Sequence, residues 1–197
     1  MNIINKVTQL ITSKEPPPLV TKEYIYSVVP LDILKKVISQ SKLNTVDGIH
    51  SIRHWLRVME NGLTIASMNN ANKKIVIAFS LFHDSKRESD FLDPFHGSRA
   101  SEYITEFQEM LDFTDEEFEK LKYAIKHHSD GEISDDKDIG TCWDADRLDL
   151  MRVDTFPLQD FLSTDIGRSS GLIVLCNDKA IKDLVPKWGE EIIDDIF

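Results

Sequence analysis

The chain has only two cysteines, Cys142 and Cys176, among its 197 residues. Neither their number nor their spacing supports a disulfide framework or a metal knuckle, so both read as small buried hydrophobes. No apolar run approaches the roughly 20 residues of a membrane span. The Met-Asn-Ile-Ile-Asn-Lys start has no stretch apolar enough for a signal peptide, so the expected address is cytoplasmic, with no membrane contact. Basic side chains are also scarce, with 23 Lys and Arg against 34 Asp and Glu for a formal charge of −11. A chain this acidic lacks the broad positive footprint that phosphate-backbone contacts need, and no nucleic-acid partner is expected. Any anionic substrate must meet positive charge supplied locally, for instance by a bound cation. With 41% hydrophobic and 29% charged residues the chain is too apolar to be disordered, and its length suits one domain.

Charge is unevenly placed. Residues 1–43 carry six Lys against Glu15, Glu23 and Asp32, a local +3 against −11 for the whole, so the remainder bears −14. Pro16-Pro17-Pro18 makes a stiff extended break, because successive prolines remove amide donors and fix φ. A short helix is expected before it and another over 21–41, restarted near Pro30. These segments read as a short helical N-terminal extension, 1–43, packed on a body of 44–197.

From Val46 the periodicity is helical. Ile49, Ile52, Leu56, Met59, Leu63 and Ala66 form one apolar stripe, and His50, His54, Val58, Asn61 and Ile65 run along a second side. A helix buried on two sides is central, with His50 and His54 facing inward. Residues 75–82 are almost continuously apolar, and with no partner strand in the sequence they read as a buried helix ending at His83-Asp84. An amphipathic helix is expected over 98–111. Thr114 and Glu117 form a capping box for a helix from Asp115 to about His128. A flexible acidic loop is expected over 129–140, with Asp130 to Asp138 solvated, and then a helix over 143–153. No repeat is visible, and the architecture is all-α.

All six histidines, His50, His54, His83, His96, His127 and His128, lie at the edges of apolar helices. Where a helix stops at an adjacent His and Asp, both side chains can reach one divalent cation, since the helical twist no longer separates them. Imidazole with carboxylate suits Mn, Fe, Zn, Ni or Co, whereas Mg and Ca prefer all-oxygen sites. Lys86, Arg87 and Arg99 flank this dipeptide and read either as donors to a phosphate or as partners of Glu88, Asp90 and Asp93.

His54 in "HWLRV", His83-Asp84 in "HDSKRESD" and Asp146 in "WDADRLDL" resemble the H…HD…D signature of the HD-domain superfamily of metal-dependent phosphohydrolases. The resemblance covers about Val46 to Val153 and implies an HD-domain helical bundle whose metal ligands are His54, His83, Asp84 and Asp146. "DADRLDLMR" is similar to a form found in the guanosine tetraphosphate hydrolase branch and selects Asp146 over Asp144, which reads as a helix N-cap. His96 in "HGSRA" and the pair His127-His128 match in order the extra histidines of two-metal branches. They read either as a second metal or phosphate site, with Arg99, or as helix-end residues. His128 is the inward member of its pair by helical phase. One departure is Arg87, which stands where nucleotidase-like branches carry a glutamate, with Glu88 directly after it.

The resemblance implies one or two divalent transition ions and a water activated to attack a phosphate ester of a small, nucleotide-like molecule. Asp84, His83, Lys86 and Arg87 are then the candidate catalytic residues. His50 and Arg147 are expected to support the ligands from outside, with Asp149 pairing along the ligand helix. Trp55 and Trp143 read as core walls. Alternative readings are a regulatory HD protein that binds a nucleotide without cleaving it and a di-iron HD oxygenase. A homo-oligomer remains open.

Overall fold

The computed structural model describes residues 20–197, so the helix expected before Pro16 lies outside the described residues. Among them are nine α-helices and no strand. They are α1 (Lys22–Val28), α2 (Leu31–Ser39), α3 (Ile52–Asn69), α4 (Lys73–Phe82), α5 (His96–Tyr103), α6 (Asp115–His127), α7 (Lys137–Arg147), α8 (Ser170–Ile181) and α9 (Lys187–Ile196). Short 3₁₀ segments run over Ile104–Met110, Leu150–Val153 and Gln159–Phe161. None of the described helices is long and apolar enough to cross a membrane.

The centre is α3, packed against both α4 and α7. Trp55, Leu56, Met59 and Leu63 of α3 join Phe79 and Phe82 of α4, Phe118 and Leu121 of α6 and Trp143 of α7 in the main core. Ile65, on the other side of α3, packs with Leu148, Leu162, Leu172, Ile173 and Cys176 in a second, smaller core. Val58, on the same stripe as Ile65, joins the main core, so only the far end of that stripe reaches the second cluster. Ile25, Val28, Leu34 and Val37 of α1 and α2 also enter the main core. Both cysteines are free and buried.

Local chemistry fixes the element ends. Thr114 accepts from the Glu117 amide, and Glu117 answers with a bond from the Thr114 amide, the reciprocal box the spacing predicts. Asn72 caps α4 by accepting from the Lys74 amide. The Asn44 side chain accepts from the amides of Val46 and Asp47, holding residues 44–51 as turns, so α3 begins at Ile52 rather than near Val46.

The acidic segment departs most from expectation. Asp136 caps α7 by accepting from the Asp138 and Ile139 amides, so that helix starts at Lys137 and stops at Arg147 instead of running over 143–153. Lys120 bridges Asp136 at 3.0 Å and Asp138 at 2.9 Å, and Asp138 also accepts from the Asn72 amide. These acids are structural partners, not solvated lid. Asp144, expected as an N-cap, lies late in α7 and accepts from the amides of Ser163 and Thr164 and the Thr164 hydroxyl, which pins the following segment.

Candidate metal centre

Four side chains from three helix ends converge at the middle of the molecule. His83 follows the last turn of α4, where its Nδ1 lies 3.1 Å from the Ser80 carbonyl and its ring stacks on Phe79 at 5.0 Å. A carbonyl only accepts, so Nδ1 carries the proton and the Nε2 lone pair points away from the helix. His54, in the first turn of α3, has Nδ1 2.7 Å from a carboxylate oxygen of Asp149, and the same logic leaves its Nε2 unprotonated. The two Nε2 atoms face each other at 3.2 Å.

Two carboxylate oxygens close the set. Asp84 Oδ2 stands 3.5 Å from His54 Nε2 and 3.7 Å from His83 Nε2. Asp146 Oδ1 stands 3.5 and 3.7 Å from the same two atoms. That Asp146 oxygen is buried and has no hydrogen-bond partner. Two lone pairs and two carboxylate oxygens aimed at one point repel unless a cation lies among them. The donor set therefore fits a divalent ion, and each of the groups His54/His83/Asp146 and His50/His54/Asp84 has its ligand atoms within 4.8 Å of one another.

A second group adjoins the first. His96 at the start of α5 and His128 at the end of α6 bring their Nε2 atoms to 2.8 Å. Each ring is again set by a backbone carbonyl, Asp93 O at 2.5 Å for His96 and Ile125 O at 2.7 Å for His128. Asp84 Oδ1 lies 3.2 Å from His96 Nε2 and 3.6 Å from His128 Nε2. Asp84 thus turns one oxygen to each group, and the second also qualifies as a metal-holding set. His50 completes the surroundings, with Nδ1 2.7 Å from Asp84 Oδ2.

Burial and charge set the protonation states. Burial pushes the His83 imidazole down to about 3, against the pull of Asp84 and Asp146. Burial raises the Asp84 and Asp146 carboxyls, but surrounding imidazoles, chiefly His83, hold both below the usual carboxylate range, with Arg152 adding to the effect at Asp146. His128 goes the other way: burial opposes its charge, yet the Asp84 hydrogen bond and the Asp146 and Asp84 charges raise it. Ionised carboxylates and a neutral His83 are the states that metal ligation requires.

Over the cluster opens a cavity of about 390 Å³, lined among others by His50, Asp84, Arg87, Arg147 and Arg152. Arg87 Nη1 stands 3.4 Å from Asp84 Oδ1 and 3.1 Å from His96 Nε2. Arg147 donates one nitrogen to the Phe161 carbonyl at 2.5 Å, while its Nη2 is buried without a partner.

The remaining residues nominated from sequence lie elsewhere. Lys86 sits over the Tyr103 ring at 3.4 Å, where cation–π contact holds it outside the cavity. Arg99 donates to the Lys86 carbonyl and to Asp93 at 2.6 Å, which staples the loop that presents Arg87. His127 pairs with Asp130 at 2.7 Å on the surface, because helical phase turns it away from His128. Asp149 takes a partner other than the one expected for it, and Arg152 was not singled out at all. Asp149 reads in sequence as a helix pair, but α7 has already ended, and the turn throws its carboxylate under His54. Arg152 also reaches the cavity from that turn; the arginine closing "DRLDLMR" was its only signal.

An all-helical bundle with a buried His/Asp cluster able to hold metal is what fold and site define together. The solved structure of a predicted HD superfamily hydrolase from an uncultured Thermotogales bacterium matches the chain with a TM-score of 0.60 and 23% identity, over 82% of this chain and 92% of that one. No protein-family model matches the chain, and no curated protein does. The fold is the HD-domain helical fold, as the H…HD…D signature implied.

Proposed function

We propose that the protein is a metal-dependent phosphohydrolase acting on a phosphate ester of a small, nucleotide-like molecule. The observation that carries this reading is the partnerless, buried Asp146 Oδ1 facing two imidazole lone pairs and Asp84 beneath a cavity lined by arginines. The Thermotogales neighbour's description as a hydrolase supports the general class of reaction.

His54, His83, Asp84 and Asp146 would hold a divalent transition ion, Mn, Fe, Zn, Ni or Co. When bound, such an ion supplies Lewis acidity and brings the pKa of a water toward neutrality. The two carboxylates offset the ion's charge. Arg87, Arg147 and Arg152 then provide positive charge and remaining N–H donors that orient phosphate oxygens and balance charge developing on them. Asp84 is placed to share a second ion with His96 and His128, which favours a binuclear centre. Lys86 takes no part, since Tyr103 holds it outside the cavity.

Metal analysis of purified protein with a phosphatase screen tests the reading. Asp84→Ala is expected to lose most of the bound metal and at least a hundredfold of the activity, the order associated with losing a positioned charge at the reacting centre. Activity that survives Asp84→Ala, with metal at full stoichiometry, rules it out. An iron–oxo absorption band in aerobically purified protein would instead point to oxygen chemistry.

A further inference from the structure

We propose that Asp149, Arg57 and Asp183 form a positioning relay that keeps the proton on His54 Nδ1, and so keeps His54 Nε2 free to ligate; the metal-affinity part of this inference rests on the function proposed above. Of the imidazoles at 54, 83, 96 and 128, three have Nδ1 fixed by backbone carbonyls. His54 alone depends on a side chain, the Asp149 carboxylate at 2.7 Å. Without that acceptor, nothing in the site holds the proton on Nδ1, and the tautomer protonated at Nε2 would present an N–H where a lone pair is needed.

Asp149 does not hold itself in place. Its Oδ1 accepts from Arg57 Nε at 2.7 Å and its Oδ2 from Arg57 Nη2 at 3.1 Å, a forked pair in the core. Burial would raise the carboxyl, but His54 and Arg57 keep it below the usual carboxylate range. Arg57 lies one turn beyond His54 on α3, so a single carboxylate clamps two neighbours on one helix face. The outer nitrogen of Arg57, Nη1, donates to Asp183 Oδ1. Asp183 sits in the turn after α8 with φ of 51°, and its other oxygen accepts from Arg53 Nε at 2.5 Å. The relay therefore runs from an exposed turn to a metal ligand in three side chains.

A merely structural ion pair would stabilise the core without fixing a proton, and this difference decides the test. Asp149→Asn replaces one of the two acceptor oxygens by an NH2 donor that must face either His54 Nδ1 or Arg57 Nε, so the amide cannot accept from His54 Nδ1 and from both Arg57 nitrogens at once. In metal-free protein, ¹⁵N spectra of the imidazoles are expected to show His54 protonated at Nδ1, and Asp149→Asn is expected to shift or mix that tautomer. Cobalt affinity, read by competition with a chromophoric chelator, is expected to fall by roughly 10- to 100-fold, the usual effect of removing a partner behind a ligating histidine. Asp183→Asn, at an exposed position that leaves the core intact, is expected to cost a smaller factor, about two- to fivefold.

A folded Asp149→Asn protein with the wild-type His54 tautomer and wild-type cobalt affinity overturns the relay. Should Asp149→Asn fail to fold, unchanged cobalt affinity and tautomer in Asp183→Asn count against it. If wild-type protein binds no cobalt, the metal reading falls while the tautomer measurement still decides the relay.

Discussion

Arg147 is the side chain whose bonding is most incomplete at the mouth of the site. One nitrogen is spent on the Phe161 carbonyl, and the other, buried beside the cavity, has no partner. Burial without full pairing is costly unless a ligand completes it. Arg147→Lys should keep the bond to Phe161 while losing the free donor. KM for a phosphate ester is expected to rise roughly tenfold with metal content unchanged, in keeping with one charged hydrogen bond; steady-state kinetics beside metal analysis checks this, and an unaltered KM removes Arg147 from substrate binding. At this scale the sequence was informative about residue type and adjacency. The adjacency of His83 and Asp84 at the end of an apolar run, and the phase that separates His128 from His127, needed only helix geometry. What Asp149 and Arg152 do depends on a helix ending at Arg147 and a 3₁₀ turn following it, and no periodicity marks that break. Lys86, Arg87 and Arg99 are equivalent as charges in sequence, and only the loop's path sends one of them into the cavity.

Between elements, close approach rather than bulk packing sets the site's dimensions. A Cβ on Gly97 would lie 2.6 Å from the Lys126 carbonyl oxygen and 2.8 Å from that of Ile125. The missing side chain lets α5 rest on the backbone at the end of α6, which brings His96 next to His128. Gly97→Ala must push the two helix ends apart, because backbone atoms cannot rotate out of the way. We expect a cost of about 1–3 kcal/mol in denaturant unfolding. We also expect weaker binding of a second metal equivalent, with the first retained, in a titration that resolves both. Loss of both equivalents together would mean that the pair is not separable from the main cluster. The sequence's helical periods located α4, α6 and the body of α3 well, since each is amphipathic or wholly apolar, but they carried α3 back over Ile49 and His50, which lie in the turns before it. They misplaced α7, whose start depends on Asp136 accepting two amides and on Lys120 bridging Asp136 and Asp138 from a neighbouring helix. Long-range pairing of that kind overrides a local acidic composition.

For the molecule as a whole, the buried cluster ties stability to pH. His83 is held near 3 by burial, so between its unfolded value of about 6.5 and that point the unfolded chain takes up a proton that the folded one refuses. Stability is therefore lost as pH falls through this window. His50, lowered by burial against the pull of Asp84, adds in the same direction. His128 is raised, so its contribution is complete below about 6.5 and fades as pH rises. Asp84, Asp146 and Asp149 are depressed and withdraw support only below about 4. The metal-free protein is thus expected to lose roughly 1–2 kcal/mol between pH 6.5 and 5 in denaturant unfolding. Equal stability at the two values would mean that His83 takes up a proton in the folded state. The formal charge of −11 also acquires a spatial meaning, because Arg87, Arg147 and Arg152 gather at one opening in an otherwise acidic chain. A small anion entering that opening meets them, whereas a long polyanion would lie across repelling surface.

The relay behind His54 also bears on the order in which the chain is made. Every nominated metal ligand lies between His54 and Asp146, yet the clamp on Arg57 ends at Asp183, beyond α8. Synthesis runs from the N-terminus. A nascent chain that has emerged as far as Val153 therefore carries all of the ligands and Asp149, while the outer hold on Arg57 and the cover that Leu172, Ile173 and Cys176 lay over Ile65 are still missing. On the proposed relay the candidate site is complete early in sequence and tightened late in time, so a growing chain is expected to bind metal less firmly than the finished protein.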